Sequence, residues 1–133
     1  MIVVDTSALM ALLLDEPGAE TIADVLAHDA DVSISAVTLA EARIVAARRG
    51  LASEMTDLIE GLGFEVEAAT AATAKRVVDA YAVWGKGIHP AALNFGDCSA
   101  YVTAMSRRAP LLYVGEDFAR TDIQAAMPRS TSG

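Results

Sequence analysis

An apolar run of three residues, Ile2-Val3-Val4, ends at once in Asp5-Thr6-Ser7 and is followed by the unbroken apolar stretch Ala8 to Leu14. A short β-branched run that hands over abruptly to a helix is how a buried parallel strand reads, because such a strand is covered on both faces. The first strand is therefore expected to end at Asp5. That beginning restricts the chain to folds in which strands alternate with helices and polar groups gather at the carboxyl ends of the strands.

The rest of the chain keeps the alternation. Pro17 and Gly18 break the first helix, Ile22, Val25 and Leu26 recur at helical spacing up to the polar turn at 28–31, and Val32-Ser33-Ile34-Ser35 reads as a second strand. Val37 to Arg49 is helical until Gly50, and Leu51 to Leu62 forms a further helix closed by Gly63. Phe64-Glu65-Val66 is a short strand. Thr70 caps a helix running to Trp84, with Ala74, Val77, Val78, Tyr81 and Trp84 on one stripe and Gly85 and Gly87 as its stop. After a loop carrying His89-Pro90 and Asn94, a helix from Gly96 to Arg108 leads to an apolar strand, Leu111 to Val114, that ends in Gly115-Glu116-Asp117. The tail from Pro128 to Gly133 is expected to be loose. All 133 residues (1–133) then form one α/β domain on a mostly parallel sheet, without internal repeats.

Composition narrows the function. With 53% hydrophobic residues and only 5% aromatic, the core is aliphatic and disorder is excluded. The single cysteine, Cys98, can form no internal disulfide and reads as a small buried residue. Together with an N-terminus that lacks the order of a secretory signal, this suggests a reducing, cytoplasmic setting. The apolar run at 8–14 is far short of the roughly 18 residues that a membrane span needs. Ten basic against eighteen acidic residues give a net charge of -8, which opposes general attraction for nucleic acid. A nuclease of this charge must recruit phosphate locally, through a cation.

Three acids stand at strand-to-helix junctions, and each has an ordinary structural reading. Asp5 can simply cap the next helix. Thr38-Leu39-Ala40-Glu41 matches a capping box, and Asn94 can cap a helix with Asp97 in its first turn. Yet Glu41 shares a helical face with Val37, Ile44 and Val45, and Asp97 shares one with Tyr101, Ala104 and Met105. Inward-facing carboxylates need a positive partner, since an unpaired buried charge costs several kcal/mol. Oxygen donors without His or Cys suit a hard hydrated cation, so Mg²⁺ or Mn²⁺ is the expected occupant. His28 and His89 have no carboxylate or cysteine partner at ligand spacing.

The motifs Val3-Val4-Asp5-Thr6-Ser7-Ala8-Leu9, Thr38-Leu39-Ala40-Glu41, Leu93-Asn94-Phe95-Gly96-Asp97-Cys98-Ser99-Ala100-Tyr101 and Pro110-Leu111-Leu112, with the closing Gly115-Glu116-Asp117-Phe118 and Thr121-Asp122, resemble a PIN domain of the VapC toxin type. The resemblance spans essentially the whole chain in order. It implies a three-layer α/β/α sandwich and an Mg²⁺- or Mn²⁺-dependent ribonuclease toxin, homodimeric and silenced by a VapB-like antitoxin whose tail covers the site. One departure stands out: many relatives carry a fourth acid where this chain has Gly115; Glu116, Asp117 and Asp122 are the candidates to substitute for it, with Asp117 the first of them.

In the expected chemistry Asp5 and Asp97 hold the cation and Glu41 binds it or orients the attacking water, leaving 5′-phosphate and 3′-hydroxyl ends. Thr6 and Ser7 follow Asp5 closely enough to fix a carboxylate, or else cap the helix. Arg107 and Arg108 are candidates for RNA contact, with Arg43, Arg48 and Arg49 as further surface cations. The apolar surplus of Ala8 to Leu14, with Ile22, Val25 and Leu26, leaves a groove for partner helices. Two rival readings are a PIN-like binding module without catalysis, suggested by Gly115, and a haloacid-dehalogenase-like phosphotransfer enzyme. Ser7 counts against the second, whose motif requires Asp-x-Asp.

Overall fold

The computed structural model describes residues 1–29 and 31–127, so Ala30 in the polar turn and the tail at 128–133 lie outside the described residues. The elements run β1 (Ile2–Val4), α1 (Thr6–Leu13), α2 (Ala19–His28), β2 (Val32–Ser35), α3 (Ala36–Arg48), α4 (Ala52–Leu62), β3 (Glu65–Glu67), α5 (Ala71–Trp84), α6 (Phe95–Arg107) and β4 (Leu111–Leu112), followed by a 3-10 turn at Phe118–Arg120. The strands form one sheet in the order β3-β2-β1-β4, with every pairing parallel.

Alternation along the strands builds the three layers. Ile2, Val4, Val32, Ile34 and Leu112 point to one face, where Ala8, Leu9, Ile22, Met55 and Ile59 of α1, α2 and α4 close over them. Val3 and Leu111 point to the other face, against Val77, Ala80, Ala100, Tyr101 and Ala104 of α5 and α6. The α/β/α sandwich expected from the sequence is thus present. Among the described residues no helix is long and apolar enough to cross a membrane.

β1 is central, so its carboxyl end opens between two neighbours. Val3 pairs with Ser33 on one side and Leu111 on the other. The Asp5 amide extends the ladder by donating to the Leu112 carbonyl at 3.0 Å. Gly63 ends α4 in a left-handed conformation (φ 61°), where a side chain would be strained.

Three expectations need correction. The last strand stops at Leu112 rather than Val114, because the Val114 amide is drawn to the Ser7 hydroxyl at 3.0 Å instead of to a neighbouring strand. The buried residues of α5 are Val77 and Ala80, whereas Val78 is 67% exposed and Tyr81 39%. With Val37, Ala74 and Phe95, these two line an apolar cleft of about 460 Å³. On α3 the inward face carries Thr38, Ala42 and Ala46, while Ile44 is 59% exposed, so Glu41 sits at the margin of the core and not in it.

Candidate active site

Asp5 leaves the carboxyl end of β1 and caps α1, as its structural reading expected. Its Oδ2 accepts from the Ser7 amide at 3.0 Å and from the Ser7 hydroxyl at 2.7 Å. The other oxygen, Oδ1, is buried without a hydrogen-bond partner. A buried carboxylate oxygen left bare is costly and calls for a cation or a proton. Burial pushes the Asp5 carboxyl up to about 6 against the two bonds from Ser7, and the nearby charges of Asp97 and Glu41 push the same way.

Glu41 is not part of a capping box. α3 begins one residue after Ser35, whose hydroxyl accepts from the Val37 amide, and Thr38 lies already inside the helix. The carboxylate instead reaches across to α1, where Thr6 Oγ1 donates to Oε1 at 2.6 Å. It also lies against the start of α6: a Cβ on Gly96 would stand 2.7 Å from Glu41 Cδ and 2.9 Å from Oε1, and Oε2 is closer still.

Asp97 does take part in the expected cap. Asn94 Oδ1 accepts from the Asp97 amide at 2.8 Å, and Asp97 Oδ2 accepts from the Asn94 amide at 3.1 Å. One carboxylate oxygen is thereby satisfied, and the residue is half-buried. Its pKa is raised chiefly by burial, against the Asn94 bond, with Glu41 and Asp117 adding to the rise. Asp117 comes from the turn after Gly115 (φ 103°) and precedes the 3-10 turn.

Four acids from distant stretches of chain are therefore electrostatic neighbours: Asp5 feels Glu41 and Asp97, and Asp97 feels Glu41 and Asp117. Among the described residues no three His, Cys, Asp or Glu side chains already close round a single point as a finished coordination shell. The all-oxygen donor set, with its bare buried Oδ1, fits a hard divalent cation. Of the other acids considered for the missing position, Asp122 is engaged elsewhere: Tyr101 donates to Oδ1 at 2.6 Å while accepting from Trp84 Nε1 at 3.1 Å. Glu116 faces a separate hollow lined by Pro17, Tyr113 and Arg120.

The hydroxyls beside Asp5 do fix carboxylates, Ser7 on Asp5 and Thr6 on Glu41. The basic candidates fare differently. Arg107 gives its guanidinium to Glu67 at 3.1 Å, Ser33 at 2.9 Å and Glu65 at 3.4 Å, binding α6 to β2 and β3. Arg107 and Arg108 stand at the end of α6 remote from Asp97, about 15 Å along the axis at 1.5 Å per residue. They are drawn to the sheet edge and the helix end, not to the acids. Cys98 is fully buried, and burial pushes its thiol up to about 11. His89 accepts from the Ala91 amide at 3.0 Å, as a loop residue would.

Sequence reasoning passed over Gly96. The available signal was a glycine inside the first turn of a helix, where alanine is the better helix former.

Comparison with known proteins accords with this fold. A PIN domain family model matches residues 2–124. Ribonuclease VapC28 of Mycobacterium tuberculosis is 44% identical over 132 residues, covering 96% of this chain and 98% of that protein. Ribonuclease VapC36 of the same organism is 43% identical over 126 residues, covering 92% and 91%. Among solved structures, Mycobacterium tuberculosis VapC20, described as a sarcin-ricin loop cleaving toxin, superposes with a TM-score of 0.78 at 19% identity over 96% of this chain and 100% of that one. A toxin-antitoxin complex from Klebsiella pneumoniae gives 0.70 at 20% identity over 92% and 93%. The haloacid-dehalogenase alternative falls with these matches. The chain belongs to the PIN domain family, within its VapC ribonucleases.

Proposed function

We propose that this chain is the toxin of a VapBC-type pair and cuts RNA phosphodiester bonds at the acidic cluster of Asp5, Glu41, Asp97 and Asp117. The observation that carries the reading is the bare, buried Asp5 Oδ1 among three further acids, in a chain whose net charge of -8 opposes general attraction for phosphate.

Asp5 and Asp97 would hold an Mg²⁺ or Mn²⁺ ion, with Glu41 as a further ligand or as the acceptor that orients the attacking water. A divalent ion supplies a lowered pKa for water and positive charge for the phosphate. Ser7 occupies Oδ2 of Asp5 and leaves Oδ1 available to such an ion, and Thr6 holds the Glu41 carboxylate in place. Asp117 is assigned the place of the fourth family acid, because its charge reaches Asp97. The products carry 5′-phosphate and 3′-hydroxyl ends.

The VapB-like antitoxin and the homodimer belong to the same proposal, as does action in the cytoplasm. Half-buried Leu12, Leu13, Leu14, Val25 and Leu39 leave an apolar outer face for an antitoxin helix. Exposed Val78 and Phe95 supply apolar area for a second copy.

The test replaces Asp5 or Asp97 with Asn and measures cleavage of total RNA with Mg²⁺, alongside growth arrest on expression. Cleavage is expected to fall more than about a hundredfold, since losing even an outer-shell partner costs 10- to 100-fold. Undiminished cleavage by either variant would refute the assigned roles. A parent protein that binds antitoxin but cuts nothing with any divalent ion would favour the binding-module reading.

A further inference from the structure

Gly96 is buried in the first turn of α6, and no left-handed backbone explains its presence there. At such a position glycine is the poorer choice on helix propensity, so a packing reason is needed. The neighbour that fills the missing side chain's place is the Glu41 carboxylate, all three of whose terminal atoms crowd the position of a Cβ. No other heavy atom is among the three nearest to that position.

We infer that Gly96 is a positioning residue for the proposed nuclease site: its bare Cα is the seat that lets the Glu41 carboxylate lie at the start of α6 beside Asp97. Two features make the seat specific. The Asn94–Asp97 cap occupies the Asn94 and Asp97 amides, so a shift of the first turn away from an added methyl group would strain both bonds. On the other side Thr6 Oγ1 holds Oε1 at 2.6 Å, which limits where the carboxylate can go. Glu41 is thus confined between a hydroxyl on α1 and a glycine on α6. Because the crowding atoms are the far end of a flexible side chain, the fold can absorb a Cβ at residue 96 by displacing that side chain. The loss falls on Glu41 and not on the core.

The inference rests on the proposed cation site, but it can be tested apart from it. In metal-free G96A, the Glu41 side-chain carboxyl ¹³C resonance is expected to shift, while the melting temperature holds or rises. An unchanged resonance, or a collapse of the fold, would show that the glycine serves something other than Glu41. Mn²⁺ binding by electron paramagnetic resonance is then expected to weaken about 10- to 100-fold in G96A, the range for supporting residues of metal sites. It is expected to weaken no further when G96A is added to E41A, since the displaced group is already gone. Equal losses in both backgrounds would overturn the assignment. If the parent itself takes up no Mn²⁺, the metal reading fails, while the resonance of Glu41 still decides the role of Gly96.

Discussion

At the scale of single residues, Asp5 combines two roles that pull against each other. It caps α1 through Oδ2 and leaves Oδ1 buried and bare. With a folded pKa of about 6 against an ordinary 3.8, Asp5 holds its proton more tightly in the fold than in the unfolded chain. Its contribution to stability is therefore fully present below about pH 4 and is lost as pH rises through 6, a change of about 3 kcal/mol. In EDTA, the urea midpoint of the parent is expected to fall relative to that of Asp5→Asn between pH 4 and pH 7. Added Mn²⁺ restores the parent and not the variant, because a cation favours the ionised form. Parallel pH profiles for the two proteins would remove this account of Asp5. The sequence made Asp5, Glu41 and Asp97 legible because each is an acid beside an apolar pattern. It misassigned the local partner of Glu41, since Thr38–Glu41 has the spacing of a capping box, and only the fold shows Thr6, 35 residues away, as the true donor.

Elements were legible where periodicity was long, and less so where a tertiary contact overrode it. The first two strands and the order of the six helices follow from alternation and from Gly or Pro stops. The end of β4 depended on one side chain, Ser7, which no local pattern announces. The outer stripe of α5 could not be read either, because an apolar face looks the same whether it is covered by this chain or left open. Arg107 shows the converse case. A cation at the end of a helix reads as a surface charge, yet its side chain is only 17% exposed and joins α6 to the edge of the sheet. Arg107→Ala leaves the Ser33 hydroxyl buried without this donor and is expected to cost about 1–3 kcal/mol in chemical denaturation. Cleavage per folded molecule should stay unchanged. A selective loss of RNA affinity at full stability would instead return Arg107 to the substrate.

The whole molecule carries a net charge of -8, so its encounter with RNA is repulsive at long range. Fluorescence anisotropy in EDTA at physiological salt is expected to show no binding of a short RNA by the Asp97→Asn variant, or by the parent. Millimolar Mg²⁺ should restore binding to the parent alone. A protein that clasped phosphates with many Arg and Lys would lose affinity steeply with salt, by about 0.9 of a log unit per contact per decade for duplex DNA and about 0.7 for single strands. A shallow slope is expected here. Strong cation-independent binding would mean that a basic surface, and not the acidic cluster, meets the RNA.

The last strand in the chain is the one that locks the first. Asp5 stands at the end of β1, but its amide is held by Leu112 and its carboxylate is steadied through Ser7, whose hydroxyl is tied to Val114. While a ribosome is still making the protein, the opening segment therefore waits more than a hundred residues for its clamp. Pairings so remote in sequence also form late in folding. A copy cut short before Leu112 is accordingly expected to lack both the acceptor for the Asp5 amide and the tie on Ser7, and so to hold Asp5 in no fixed place.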